Sequence, residues 1–333
     1  DTWVPVPLTA EQRAAHDELS LPIAQLVATA RRRPLTQPQF LRLMSLLTQQ
    51  RILCNGVAQR DFEEVWPALA TERRVTDTSL ARLGAPKLAE LRERLAAIAV
   101  EQGRKVVVFS QWRRMLKLAA WATKDLLGDA GARAVFFTGE ESQRRRTENL
   151  VAFHDDPTVR VLFATDAGGV GLNLQRAASC CIHLDLPWNP AVLEQRIGRV
   201  HRFGQTRAVD VYALVAEGGI EARIAGLIDD KKALFRGLFD GTSDAVEFAQ
   251  AGSFLSRIER LIDRPEVPTL DDSDDSAGEV AADMDDTPAE AAVDPAPAVA
   301  APSSPAMASP ASAATAAAAA LDTLAALLAG VAM

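Results

Sequence analysis

Two hydrophobic periodicities divide the chain. Through its first hundred residues, apolar positions recur at helical spacing: Phe40, Leu43, Met44, Leu46 and Leu47 share one face, and Asn55-Gly56 ends the run. Thr9-Ala10-Glu11-Gln12 has the form of a capping box, and residues 87–99 predict a further helix. From Gly103 the pattern changes to short runs rich in β-branched and aromatic residues, at 106–109, 134–137, 161–163, 181–184 and 209–212, separated by amphipathic stretches. Strand alternating with helix predicts an α/β fold: a parallel sheet with helices on both faces.

In such a sheet the loops leaving the carboxyl ends of the strands gather on one edge, where ligands bind. Four of these loops carry polar or glycine-rich tips: Ser110-Gln111-Trp112, Thr138-Gly139, the segment 164–171 with Thr165, Asp166, Gly168, Gly169 and Gly171, and Asp185-Leu186-Pro187-Trp188-Asn189-Pro190. Glycines at 168, 169 and 171 let backbone amides approach a phosphate without interference from a Cβ, although a tight turn alone would also call for them. The sharper signal is Gln-Arg-Ile-Gly-Arg-Val-His-Arg at 195–202. Read as continuous helix, it sets Gln195, Arg199 and Arg202 on one face at one-turn intervals. Two guanidinium groups so aimed suit a transferring phosphoryl group, and the interleaved Ile197 and Val200 argue for partial burial rather than a solvated basic face.

Charge changes the picture only when divided by region. The formal net charge is -8, but residues 265–333 hold 12 acidic residues and no Lys or Arg, leaving 36 basic against 32 acidic residues in 1–264. That mildly basic body permits a phosphate-binding surface. The segment 265–312 is dominated by Ala, Asp, Ser and Pro, and predicts a disordered acidic linker; 313–333 predicts a short terminal helix. Its Ala-rich run contains Asp322 and lacks basic flanks, so no membrane span is expected. Three cysteines, two of them adjacent, indicate neither a disulfide framework nor a metal site, and a reducing cytoplasm fits best. His183 inside a strand reads as a core histidine. Trp112 and Trp188 read equally as packing residues or as platforms for bases.

The order of motifs resembles the C-terminal lobe of superfamily 2 helicases, and more closely the SWI/SNF-type ATP-dependent DNA translocases. The resemblance rests on Lys-Val-Val-Val-Phe-Ser-Gln-Trp at 105–112 (motif IV), Phe-Ala-Thr-Asp-Ala-Gly-Gly-Val-Gly-Leu-Asn-Leu at 163–174 (motif V), and 195–202 (motif VI) extended by Phe203-Gly204-Gln205. Leu186-Pro187-Trp188-Asn189-Pro190, residues 219–224, Leu8 to Gln12, Gln50 to Asn55 and Ala85 to Leu88 also match. Eukaryotic remodellers usually carry Ala and Asp where this chain has Arg196 and Gly198, and Arg where it has Asp166. In these positions the chain looks more like bacterial relatives, including the RNA-polymerase-recycling (RapA/HepA-like) variety.

The resemblance implies a RecA-like helicase lobe at 85–240, preceded by a helical inter-lobe region at 1–84 and followed by a helical brace at 241–264. It further implies an ATP hydrolase that works only as part of a two-lobed motor. The chain starts at Asp1 and contains neither Gly-x-x-x-x-Gly-Lys-Ser/Thr nor an Asp-Glu-x-His-like motif, so we expect a fragment, inactive alone, whose partner lobe holds ATP and Mg²⁺. By the resemblance, Arg199 and Arg202 are arginine fingers, Gln195 orients them, and Gly171 and Asn173 lie beside the nucleotide sugar. Ser110, Gln111, Thr138, Gly139, Thr165, Asp166, Gly168 and Gly169 touch the phosphates of double-stranded DNA. No protein metal site is expected; the other partners are the N-terminal ATP-binding lobe and RNA polymerase or another DNA-bound protein, in a bacterial, nucleoid-associated setting. Two alternatives remain open: a strand-separating helicase, and a non-catalytic module that binds DNA or a partner.

Overall fold

The computed structural model describes residues 2–166 and 173–230. The glycine-rich segment at 167–172, the expected brace at 241–264 and the expected tail and terminal helix lie outside the described residues. In chain order the elements are β1 (Thr2–Pro7), α1 (Ala10–Glu18), α2 (Ser20–Arg32), α3 (Gln37–Asn55), α4 (Val57–Arg60), α5 (Phe62–Thr71), α6 (Asp77–Arg82) and α7 (Pro86–Leu95), which runs on as a π-helical turn over Ala96–Glu101. Then follow β2 (Val106–Phe109), α8 (Arg113–Asp129), β3 (Arg133–Phe137), α9 (Gln143–Asp155), β4 (Val159–Ala164), β5 (Cys180–His183), α10 (Pro190–Gly198), β6 (Asp210–Glu217) and α11 (Ile220–Asp230).

The six strands form one sheet in the order β1-β6-β5-β2-β4-β3, and every pairing is parallel. Because side chains alternate across a strand, each buried run feeds two cores. Val106, Val108, Val161, Phe163 and Ile182 join the side chains of α5, α7 and α8 on one face. On the other face, Val107, Phe109, Leu162, Ala164 and Cys181 pack with Phe153 of α9 and with Leu174 and Val200. A third cluster packs α2 and α3 against Ala213 and Val215 of β6, Leu186, Trp188 and α11. The RecA-like sheet covered on both faces is as expected.

One element departs from the sequence reading of 1–84 as helical throughout. Thr2–Pro7 is a strand, with Thr2 opposite Tyr212 and Pro7 opposite Glu217. Val4 and Val6 point inward, and the prolines alternate with them. Proline cannot donate to a ladder, so it is tolerated here only because β1 is the sheet edge. Elsewhere the helical start signals act as expected. The Thr9 hydroxyl accepts from the Gln12 amide at 3.1 Å while Gln12 Oε1 accepts from the Thr9 amide at 3.0 Å. The Gln12 side-chain amide also donates to the Leu53 carbonyl at 2.7 Å, which ties α1 to α3.

Where α3, α7 and α11 converge lies a buried ion pair. Lys87 Nζ donates to Glu221 Oε2 at 2.5 Å, to Asn55 Oδ1 at 3.0 Å and to the Leu184 carbonyl at 2.6 Å, and both charged side chains are 0% exposed. The Ala216 amide donates to the same Glu221 oxygen at 3.0 Å. Three of the segments that carry the family resemblance thus meet at one ammonium group.

Candidate nucleotide and nucleic-acid site

The chain leaves β2 first toward β3 and β4 on one side, then crosses to β5 and β6 on the other. The reversal falls at β2, and a crevice opens outside the carboxyl ends of strands at such a point. Among the described residues its border is formed by the loops after β2 and β5, by Thr165 and Asp166 at the end of β4, and by α10.

Asp185 is the hub of these loops. It is fully buried, and its carboxylate accepts from the Ser110 hydroxyl and from the Gln111 amide at 3.0 and 3.2 Å. Arg196, also 0% exposed, donates to the Asp185 carbonyl at 3.1 Å and forms a two-pronged pair with Asp166 at 2.7 and 2.6 Å. A planar guanidinium suits that geometry because its fork matches a carboxylate.

Arg199 and Arg202 do not share a helix face, contrary to the expectation from their spacing. α10 stops at Gly198 with Arg199 as its cap, and the Arg199 carbonyl accepts from the Leu174 amide at 3.0 Å instead of extending the helix. Arg199 turns inward, only 8% exposed, with its guanidinium 5.6 Å from the ring centroid of Phe109. Its Nη1 finds no acceptor among the described residues. Burial, only partly offset by the Asp166 carboxylate, pulls its pKa below the ordinary arginine value. An arginine so placed still carries its charge at neutral pH. Arg202 lies in the following turn, exposed, and donates to Asn173 Oδ1 at 2.8 Å. Gln195 is exposed on α10.

The residues expected at DNA divide by accessibility. Gly139 is exposed and Asp166 half-buried, while the side chains of Ser110, Gln111, Thr138 and Thr165 are buried. Thr138 is held by Glu141, whose carboxylate accepts from its amide at 2.6 Å and its hydroxyl at 2.9 Å. Ser110 and Gln111 therefore shape the loop after β2 from within. Trp112 and Trp188, at 0% and 3% exposure, are packing residues; neither is a platform open to bases. Among the described residues no group of three or more His, Cys, Asp or Glu is placed to hold a metal ion, and no helix is long and apolar enough to cross a membrane. Sequence reasoning passed over Arg51, Asp185 and Arg196, whose partners are distant in the chain.

His183 is a core residue, stacked on Phe109 at a centroid distance of 5.5 Å. Burial, reinforced by the Arg196 charge, holds its pKa well below the ordinary 6.5. Unfolding frees it to bind a proton, so its contribution to stability is complete above about pH 6.5 and declines as pH falls through that value. We expect His183→Phe to reduce the loss of unfolding free energy between about pH 7.5 and pH 5, measured by urea denaturation at both. An unchanged pH slope would assign the acid sensitivity to other groups.

The fold is the RecA-like one of helicase C-terminal lobes, a parallel sheet covered by helices on both faces. Residues 86–204 match the family described as helicase conserved C-terminal domain. The chain is 33% identical over 158 residues to an uncharacterized ATP-dependent helicase, YqhH, of Bacillus subtilis, covering 47% of this chain and 27% of that protein. It is 32% identical over 186 residues to the human SWI/SNF-related matrix-associated actin-dependent regulator of chromatin subfamily A member 1, covering 55% and 17%. It therefore spans only about a quarter or less of these relatives' length. In structure it is similar to the Sulfolobus solfataricus SWI2/SNF2 ATPase C-terminal domain, with a TM-score of 0.53 and 22% identity, over 78% of this chain and 96% of that one. The ATPase core of the same organism, in complex with double-stranded DNA, gives a TM-score of 0.56 at 22% identity, over 78% and 49%. In sequence and fold the chain is thus similar to SWI/SNF-type ATP-dependent helicases, with the match to the helicase conserved C-terminal domain falling on residues 86–204.

Proposed function

We propose that this lobe closes on an N-terminal ATP-binding lobe, completes its ATPase site, and moves along duplex DNA without separating the strands. The observation that carries the reading is Arg199, a buried cation with one guanidinium nitrogen lacking a hydrogen-bond acceptor among the described residues. A buried donor left without an acceptor costs about 1–3 kcal/mol, so an anion that takes it up is favoured.

ATP with Mg²⁺ held by the other lobe supplies the labile phosphoryl bond. Arg199 donates to the oxygens on which charge builds as that bond loosens. Arg202, exposed in the turn that follows, adds a second guanidinium once its bond to Asn173 is exchanged, and Gln195 orients the pair. Gly171 and Asn173 lie beside the sugar. The loops that carry Ser110, Gln111, Thr138, Gly139, Thr165, Asp166, Gly168 and Gly169 form the track for one strand's phosphates, with binding that is salt-sensitive and nearly blind to sequence. The relative solved with double-stranded DNA supports that substrate. RNA polymerase or another DNA-bound protein is the obstacle such a motor pushes, in a bacterial cytoplasm.

The test is ATP hydrolysis by the full-length protein with and without duplex DNA, alongside strand displacement. Hydrolysis stimulated by duplex with no strands released is the expected result, and this chain alone should be silent. Release of single strands would make the protein an unwinding helicase instead. Hydrolysis indifferent to DNA would overturn the reading.

A further inference from the structure

Arg51 belongs to α3, in the helical region, yet its guanidinium lies inside the lobe. It is 2% exposed and sits between two indoles, 4.9 Å from the ring centroid of Trp112 and 5.2 Å from that of Trp188. Nη2 donates to Gln111 Oε1 and, at 2.7 Å, to the Leu186 carbonyl. These acceptors stand in two different crevice loops, those after β2 and β5. Beyond them the network continues. The Gln111 amide donates to Asp185, and Asp185 receives Arg196, which clamps Asp166 at the edge of the glycine-rich segment. Trp188 is followed at once by Asn189, whose side chain caps α10 by accepting from the Ala191 amide at 3.0 Å.

A methionine or leucine would fill the space between two indoles without the desolvation cost of a guanidinium. What an apolar group cannot do is hold two loops at a fixed separation through directed donors. The contacts also run in one direction: a residue of the helical region grips the loop expected to face DNA and the segment that launches the arginine-bearing helix. A shift of α3 relative to the sheet therefore displaces both together.

We propose that Arg51, seated between Trp112 and Trp188, is a positioning residue that couples the helical region and the DNA-facing loop to the placement of Arg199. The inference rests on the motor reading above and adds to it the residue through which DNA engagement reaches the ATPase arginine. Arg51 touches neither nucleotide nor DNA; it acts through Gln111, Leu186 and Trp188.

The experiment measures DNA-stimulated ATP hydrolysis by the full-length protein in wild type, Arg51→Met and Arg51→Lys, below each variant's thermal midpoint. Arg51→Met is expected to lower the stimulated kcat on the order of 10- to 100-fold, the loss that a misplacement of about 1 Å can produce from outside the reacting groups. The KM for ATP should move less than about threefold, because the loss falls on the transition state. Arg51→Lys retains the charge and one donor direction, and should recover part of the rate. A purely structural residue would shift the midpoint while leaving the kcat of the folded fraction and its DNA stimulation unchanged, and that result would overturn the proposal. A double-mutant cycle of Arg51→Met with Arg196→Lys adds an independent arm. Residues in one network give a double variant little worse than the worse single, whereas losses that multiply would overturn the coupling. Should Arg196→Lys fail to fold, the Arg51 variants decide alone. Absence of DNA stimulation in the wild type would overturn the motor reading and the coupling with it; stimulation equal in wild type and Arg51→Met overturns the coupling only.

Discussion

Arg199→Ala is expected to lower DNA-stimulated ATP hydrolysis by the full-length protein by about 10³- to 10⁵-fold, the range found when an arginine finger is lost from phosphoryl-transfer sites. Three features of this residue set that scale. It is fixed before any ligand arrives, by burial and by the Phe109 ring beneath it. Its Nη1 is buried without a hydrogen-bond acceptor among the described residues, and a charge-assisted hydrogen bond made out of water is worth more than one made in it. The neighbouring Arg196 is held by Asp166 and Asp185, whereas Arg199 keeps one nitrogen without an acceptor among the described residues. Arg199→Lys should recover little, since an ammonium on a flexible stem cannot reproduce the planar fork. The KM for ATP should change far less than kcat, because the contact strengthens only in the transition state. Steady-state hydrolysis over a range of ATP concentrations checks both points. Normal hydrolysis by Arg199→Ala would remove the residue from the reaction, leaving its burial a matter of packing.

Lys87→Met is expected to destabilise the chain by about 3–5 kcal/mol, because it leaves Glu221 charged and enclosed. Against a typical total of about 5–15 kcal/mol, that loss decides whether the lobe stays folded near body temperature. The double variant Lys87→Met/Glu221→Leu should return much of the difference, since replacing both partners removes the unmatched charge. Urea denaturation monitored by tryptophan fluorescence reads both values. A double variant as unstable as the single would show that the pair is needed for its hydrogen bonds to Asn55, Leu184 and Ala216 rather than for charge balance.

The sheet was legible because its strands are buried on both faces and so stand out as unbroken runs such as Val106 to Phe109. The helix starts at Thr9 and Thr36 were equally open to reading, since a capping box is a local device. β1 was hidden by its own composition: two prolines in six residues argue against a strand unless the edge position is known. The crevice loops were found, but the division of labour within them was not. Arg196 and Arg199 are three residues apart and chemically identical, and what separates them is whether Asp166 and Asp185 stand within reach. The split between Arg199 and Arg202 depends on a single amide, that of Leu174, which ends α10 from outside the helix. Sequence reasoning assigned Arg51 and Lys87 no individual role, since most of their partners lie far along the chain, at separations of up to 135 residues.

The edge strand has a consequence for how the lobe is made. β1 has only β6 to pair with, and Thr2 must find Tyr212, about 200 residues further along the chain. At a synthesis rate of about 5–20 residues per second, roughly 10 to 40 s pass between the appearance of the two strands at the ribosome. Throughout that interval the strand carrying Val4 and Val6 lacks its only native pairing partner. The alternating prolines then serve a second purpose, since a strand with a third of its amide donors removed is a poor template for pairing with a neighbouring nascent chain.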